Sequence, residues 1–193
     1  MKKFELTNEF VTNMFGTKLF RIRALVEFGD VEAGELGGYV EKESNLGHDD
    51  NAWVYGDARV YDNALVYDNA RVYGDAQVSG DARVYDNARV YGDAWVYDNA
   101  RVYGDAWVYD NARVCGDALV CGNGDYAYAH GFGSVNRTTT FFRLKDGGVG
   151  VRCGCFYGTL AQFRDKIRET HGETKKAQEY LMLADLMKLR FEK

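Results

Sequence analysis

The stretch Ala52-Trp53-Val54-Tyr55-Gly56-Asp57-Ala58-Arg59-Val60-Tyr61-Asp62-Asn63 opens a run of twelve hexapeptides that continues without insertion to Asn123. Each unit reads Ala-x-Val-Tyr-(Gly/Asp)-(Asp/Asn), with alanines in steps of six from Ala52 to Ala118 and valines from Val54 to Val120. Ser79, Cys115 and Cys121 replace the tyrosine in three units. A period of six is not helical, and Val-Tyr pairs separated by glycine or aspartate oppose a helix. Alternation along a short strand puts Ala and Val on one face and x and Tyr on the other. The Gly-Asp or Asp-Asn pair tolerates positive φ, which suits a corner. The pattern predicts a prism-shaped coil with only small and branched side chains inside.

On these residues the chain resembles the left-handed parallel β-helix of hexapeptide-repeat proteins. In that fold an aliphatic residue is followed four places on by a small one, as Val54 is by Ala58 and Val114 by Ala118. The resemblance implies three units per coil, so residues 52–123 make four coils, and a strand spacing of about 4.8 Å makes the rod roughly 19 Å long. A degenerate coil before them brings the total to about 4–5. Val40, Ser44 and Leu46 stand in the repeat relation, but Leu46 to Val54 spans eight residues, which places a bulge near Gly47–Asp50.

The flanks do not repeat. Lys18–Leu25 alternates, with Phe20, Ile22 and Ala24 opposite Arg21 and Arg23, and pairs with Phe4–Val11 across Asn13–Thr17. An open solenoid end exposes unpaired backbone, so residues 1–39 are expected to form an N-terminal β cap. Residues 40–123 form the solenoid and residues 124–193 a C-terminal hairpin and two-helix region. In that region Thr138–Leu144 and Val149–Phe156 flank the turn signal Lys145-Asp146-Gly147-Gly148. Thr159-Leu160-Ala161-Gln162 reads as a capping box opening a helix that ends near His171-Gly172. A second helix runs from about Thr174 to Phe191, its stripe of Ala177, Tyr180, Leu181, Ala184, Met187 and Phe191 widened by Leu183, Leu186 and Leu189. So broad an apolar face is expected to be buried on both sides. The expected class is an all-β solenoid with an α+β C-terminal region.

The net charge of −5 is uneven: residues 1–51 carry −4, the repeats −5 and residues 124–193 carry +4. An acidic rod lacks the concentrated Lys/Arg surface that duplex DNA requires. No apolar run reaches membrane-spanning length and the amino terminus lacks a leader pattern, so a cytoplasmic location with reduced thiols is expected, and no membrane contact. Cys153-Gly154-Cys155 with His171 is a thin metal signature, and nothing points to a cofactor.

Stacking at 18 residues sorts the outward positions into three walls. The first carries Trp53, Arg71, Arg89 and Trp107 beside Tyr55, Tyr73, Tyr91 and Tyr109. The second carries Arg59, Gln77, Trp95 and Arg113, and the third Leu65, Arg83, Arg101 and Leu119. Tyr, Trp and Arg are enriched at binding hot spots, so the first wall and Trp95 are the candidate binding residues. A homo-oligomer, dimer or trimer, would cover such walls most simply. The eleven aspartates at the corners are explained by turn chemistry.

Acyl transfer, common in the resembled fold, needs a histidine base and a loop that shapes a cleft, yet His48, His130 and His171 all lie outside the unbroken repeats. The chain is also similar to a group of hexapeptide-repeat proteins from bacterial and prophage genomes. That resemblance rests on Phe28-Gly29-Asp30-Val31-Glu32-Ala33-Gly34-Glu35-Leu36-Gly37-Gly38-Tyr39-Val40, on Cys153–Thr159 and on Thr170-His171-Gly172. It implies architecture and a mobile-element origin, and carries over no catalytic residue. The expected function is a non-catalytic binding protein that captures a host protein or nucleotide-like signalling ligand, an anti-defence factor. A structural scaffold rod is the third alternative.

Overall fold

The computed structural model describes residues 2–133 and 137–192. Twelve two-residue strands, β4 (Trp53–Val54) to β15 (Leu119–Val120), recur every six residues. They stack into three parallel walls whose partners are 18 apart, as in Val54 with Val72 and Val90 with Val108. The repeat alanines and valines from Ala52 to Val120 are buried. The corner residue takes positive φ throughout, from Gly56 at 60° and Asp62 at 58° to Asp110 at 53° and Gly116 at 63°. Aspartate tolerates this region better than most side chains, and here its carboxylate also links coils. Asp62, Asp86 and Asp98 accept hydrogen bonds from the backbone N–H of Gly80, Gly104 and Gly116, 18 residues on. The chain is a β-solenoid of about five turns.

The first turn is longer. Val40 pairs with Val60 and Leu46 bridges to Val66, both 20 residues on, because two extra residues lie between Leu46 and Val54. Asn45, not the expected Ser44, fills the inward place. A 3-10 turn at Glu43–Asn45 shifts the register, and the buried Asn45 amide donates to the carbonyls of Asp62 and Ala64 at 3.1 and 2.9 Å.

Strands β1 (Phe4–Thr12) and β2 (Lys18–Ala24) form an antiparallel hairpin, and β2 pairs with β3 (Leu36–Val40), which joins the second wall in parallel. The second wall thus becomes a seven-stranded sheet. β3 runs across residues 39 and 40. Ile22 and Ala24 face the core as their spacing predicts, whereas Leu19, on the opposite face of β2, is buried outside that core against Tyr39 and Tyr61. Lys3 is buried, and its ammonium donates to the carbonyls of Ala52, Asp50 and Asp49 at 2.9, 3.3 and 3.4 Å. It therefore satisfies carbonyls that the bulge leaves without strand partners.

At the other end β16 (Tyr126–Phe132), β17 (Arg137–Arg143), β18 (Val149–Cys153) and β19 (Phe156–Thr159) form an antiparallel sheet. Two of these strands were not legible in the sequence. The expected Val149–Phe156 strand breaks at Gly154, whose φ of 58° folds it into the β18–β19 hairpin. The sheet serves two cores. Phe142 and Tyr126 seal the last coil, whereas Phe141 and Val151 pack on α1 (Leu160–His171) and α2 (Lys175–Phe191). Thr159 caps α1 with Gln162 as the capping box predicts, and Thr174 caps α2. Only one side of α2 is covered: Met182, Leu186 and Leu189 are 71%, 54% and 70% exposed, contrary to burial on both sides. Among the described residues, no helix is long and apolar enough to cross a membrane.

Two outcomes follow from the way the cap seats on the first coil. A methyl group at Gly38 would meet the Ala58 carbonyl at 2.6 Å and Val54 Cγ1 at 2.8 Å, both held by the coil. Gly38→Ala should therefore lower unfolding free energy in urea by about 2–3 kcal/mol, whereas Gly124→Ala, which meets nothing within 4 Å, should stay within about 0.5 kcal/mol. Burial lowers the Lys3 pKa from 10.5 to about 8, with Asp50 and Asp49 opposing. The unfolded chain binds the extra proton between those values, so stability gains as pH rises through that window. The stability difference between wild type and Lys3→Met should grow from pH 8 to 10.5, by less than about 1.4 kcal/mol per pH unit.

Candidate functional site

The stacking order fixes the first wall as β4, β7 (Arg71–Val72), β10 (Arg89–Val90) and β13 (Trp107–Val108), in line with its 18-residue spacing. Its tyrosines form a ladder. Tyr73, Tyr91 and Tyr109 stack face to face at 4.9 and 5.2 Å, and Tyr55 meets Tyr73 edge-on at 6.5 Å. The third wall repeats the device, with Tyr67, Tyr85 and Tyr103 at 5.0 and 5.1 Å. A repeat of 18 places identical rings near the coil spacing, so that they stack almost parallel.

The wall is closed at both ends. Trp53, expected on the binding surface, is fully buried: the cap folds over it and packs Phe4 and Phe28 edge-on against its indole at 6.1 and 5.3 Å. Tyr55 donates to Asp30 at 3.1 Å, and Asp30 pairs with Arg71 at 2.7 Å. These residues with Tyr73 and Arg89 line a shallow depression of about 340 Å³. Trp95 lies elsewhere, on the second wall, half-buried beneath the Arg113 guanidinium at 4.4 Å.

The larger cleft lies where the wall meets the C-terminal sheet and α2. It encloses about 740 Å³ and is lined by Tyr91, Trp107 and Tyr109 from the wall, Asn123, Tyr126 and Tyr128 beyond it, and Leu186, Met187 and Arg190 from α2. Tyr126 and Tyr128 both stand at 89° to the Tyr109 ring, 6.3 and 5.9 Å away, so the ladder ends in an aromatic corner. Trp107 is 41% exposed, with the Arg89 guanidinium 5.0 Å over its ring. Asn123 anchors the floor, its side chain accepting from the Trp107 N–H at 2.8 Å and its carbonyl from Arg190 at 3.5 Å. Among the described residues, Arg190 thus stands at the rim with only this weak, neutral partner. Tyr128 donates to Asp110, and burial raises the Tyr126 phenol well above its ordinary range. Arg190 at the rim and Arg89 over Trp107 bring positive charge to this end of the wall, and the Asp110 carboxylate that holds Tyr128 brings a negative one.

Tyr91, Trp107 and Tyr109 were legible as a group from their spacing. Tyr126, Tyr128 and Arg190 were not. Tyr126 and Tyr128 lie where the repeat loosens after Asn123, and nothing local says that this segment folds against Tyr109. Cys153, Cys155 and His171 do line one groove, of about 220 Å³. They do not make a metal centre: among the described residues no set of three or more His, Cys, Asp or Glu side chains could hold an ion. His48 is structural, stacked on Phe4 at 4.5 Å and bonded to Glu43 at 2.9 Å, and the exposed His130 bonds Thr138 at 3.0 Å.

The model of the YdcK beta-solenoid repeat family matches the chain in five overlapping windows, 58–74, 64–80, 76–92, 82–97 and 94–110. The chain is similar to that repeat family across the middle of its solenoid. No curated protein matches it.

The pH response of the ladder is defined. Burial raises Tyr55 to about 12, and the hydrogen bond to Asp110 raises Tyr128 to about 12, both from an ordinary 10. The folded chain therefore holds these protons longer than the unfolded chain, and stability falls as pH climbs from 10 to 12. A phenolate absorbance titration should show Asp110→Asn moving Tyr128 back toward 10, with a smaller fall at Tyr91, which the Asp110 charge also raises.

Proposed function

We propose that the chain is a non-catalytic binding protein that captures a planar, anionic, nucleotide-like ligand in the cleft between the first wall and α2. One observation carries this reading: the partly exposed Trp107 ring, the Tyr128 ring and the edge of the stacked Tyr91 border about 740 Å³, with Arg89 and Arg190 at hand. Aromatic faces stack any base, and an arginine with only a neutral partner suits a phosphate. With the prophage-type resemblance, this describes a factor that withdraws a host ligand rather than transforming it.

Titration of the full chain with adenine and guanine mononucleotides, followed by tryptophan fluorescence and calorimetry, tests the reading. Binding should quench Trp107, and Trp107→Ala or Arg190→Gln should weaken it by about tenfold or more, since stacking is worth about 1–3 kcal/mol per base. No heat and no quenching with either nucleotide would refute it.

A second reading, self-association, is favoured by the exposed Met182, Leu186 and Leu189 of α2. Sedimentation velocity should show concentration-dependent dimers that Leu189→Glu disperses; a monomer at every concentration removes this reading.

A further inference from the structure

Four cysteines are present, in two very different settings. Cys115 is buried, and burial pushes its thiol up. Cys121 is exposed, but its thiol donates to the Asp125 carboxylate at 3.0 Å, which likewise pushes it up. Both are therefore poor nucleophiles. Cys153 and Cys155 instead open onto the 220 Å³ groove together with Arg137, Lys166 and His171.

The groove is built around the glycine between the two thiols. Gly154 takes φ 58°, and an added Cβ would lie 1.9 Å from Arg137 Nη1. Only glycine lets the Arg137 guanidinium rest on the turn that carries both sulfurs. Among the described residues Arg137 has no carboxylate partner, and Lys166 has only an exposed pairing with Glu169 at 2.9 Å, which is weak in water. Cys155 is exposed, whereas Cys153 is half-buried, accepting from Thr139 at 3.2 Å and donating to Tyr180 at 3.9 Å. Cys155 is thus reachable from solvent, while Cys153, two residues away on the same groove, is partly shielded.

We propose that Cys155 and Cys153 form a thiol–disulfide exchange site for small disulfides bearing carboxylates, which Arg137 and Lys166 attract. The Cys155 thiolate attacks one sulfur of the disulfide. That S–S bond breaks, a mixed disulfide forms on Cys155, and the released thiolate takes up the proton that Cys155 lost. Cys153 then attacks the Cys155 sulfur, closing a Cys153–Cys155 bond and releasing the second thiol with its own proton. The protein dithiol loses two electrons and two protons, and the small disulfide becomes two thiols.

The reduced full chain is treated with oxidised glutathione, which carries carboxylates, or with cystamine, which is cationic, and followed by intact-mass and peptide mass spectrometry. Oxidised glutathione should modify Cys155 first, ahead of Cys121 by about tenfold, and then give the internal disulfide. Cys153→Ser should stop at the mixed disulfide. Arg137→Gln with Lys166→Gln should slow oxidised glutathione by about tenfold and leave cystamine no slower. Wild-type rates should fall with salt for oxidised glutathione and not for cystamine, which keeps the test intact even where a variant folds poorly. Equal modification of Cys121 and Cys155, closure without Cys153, or the same salt response for both reagents would overturn the proposal.

Discussion

Each coil is held to the next by backbone hydrogen bonds that repeat every 18 residues, such as Tyr55 N–H to the Val72 carbonyl at 2.8 Å and Tyr73 to Val90 at 3.0 Å. That ladder requires strands of equal length and corners of one shape. The Ala-x-Val-Tyr unit meets the first demand because two fully buried side chains per unit leave room for no larger core. The Gly or Asp that follows meets the second, because the corner lies in the left-handed region. Along the rod this spacing also sets the rings of the two tyrosine ladders.

A solenoid built this way has two raw ends, and the ends are solved differently. The amino-terminal hairpin lengthens one wall and lays Phe4 and Ile22 over the first coil and its Trp53, with the Lys3 ammonium reaching the carbonyls of the bulge. The carboxy-terminal sheet turns its Phe142 face to the last coil and its Phe141 face to the helices. Contact with the rod is thus made by one face of a strand, and the neighbouring side chains are left to build a second core.

The aromatic cleft arises at the second junction. Stacked rings along a flat wall offer little concavity; the larger cleft forms where the ladder meets the Tyr126 and Tyr128 rings at right angles and α2 lies alongside. The same folding that buries Trp53 at one end leaves Trp107 partly open at the other. The thiol groove is likewise a product of the C-terminal module, formed between the Gly154 turn and α1.

The repeat alone determined the solenoid, the three walls, the inward Ala and Val and the positive-φ corners, because pairing at a constant offset turns position within a unit into position in space. The capping box at Thr159 and the stripe of α2 were equally local and equally readable. What only the tertiary structure decided was everything that departs from the period: the inward turn of Asn45, the burial of Leu19 on the outer face of its wall, the extra hairpin at Gly154, the burial of Trp53 and the exposure of Leu186 and Leu189. These depend on which non-repeating segment lies over which coil, a long-range choice of packing partner that no local pattern encodes.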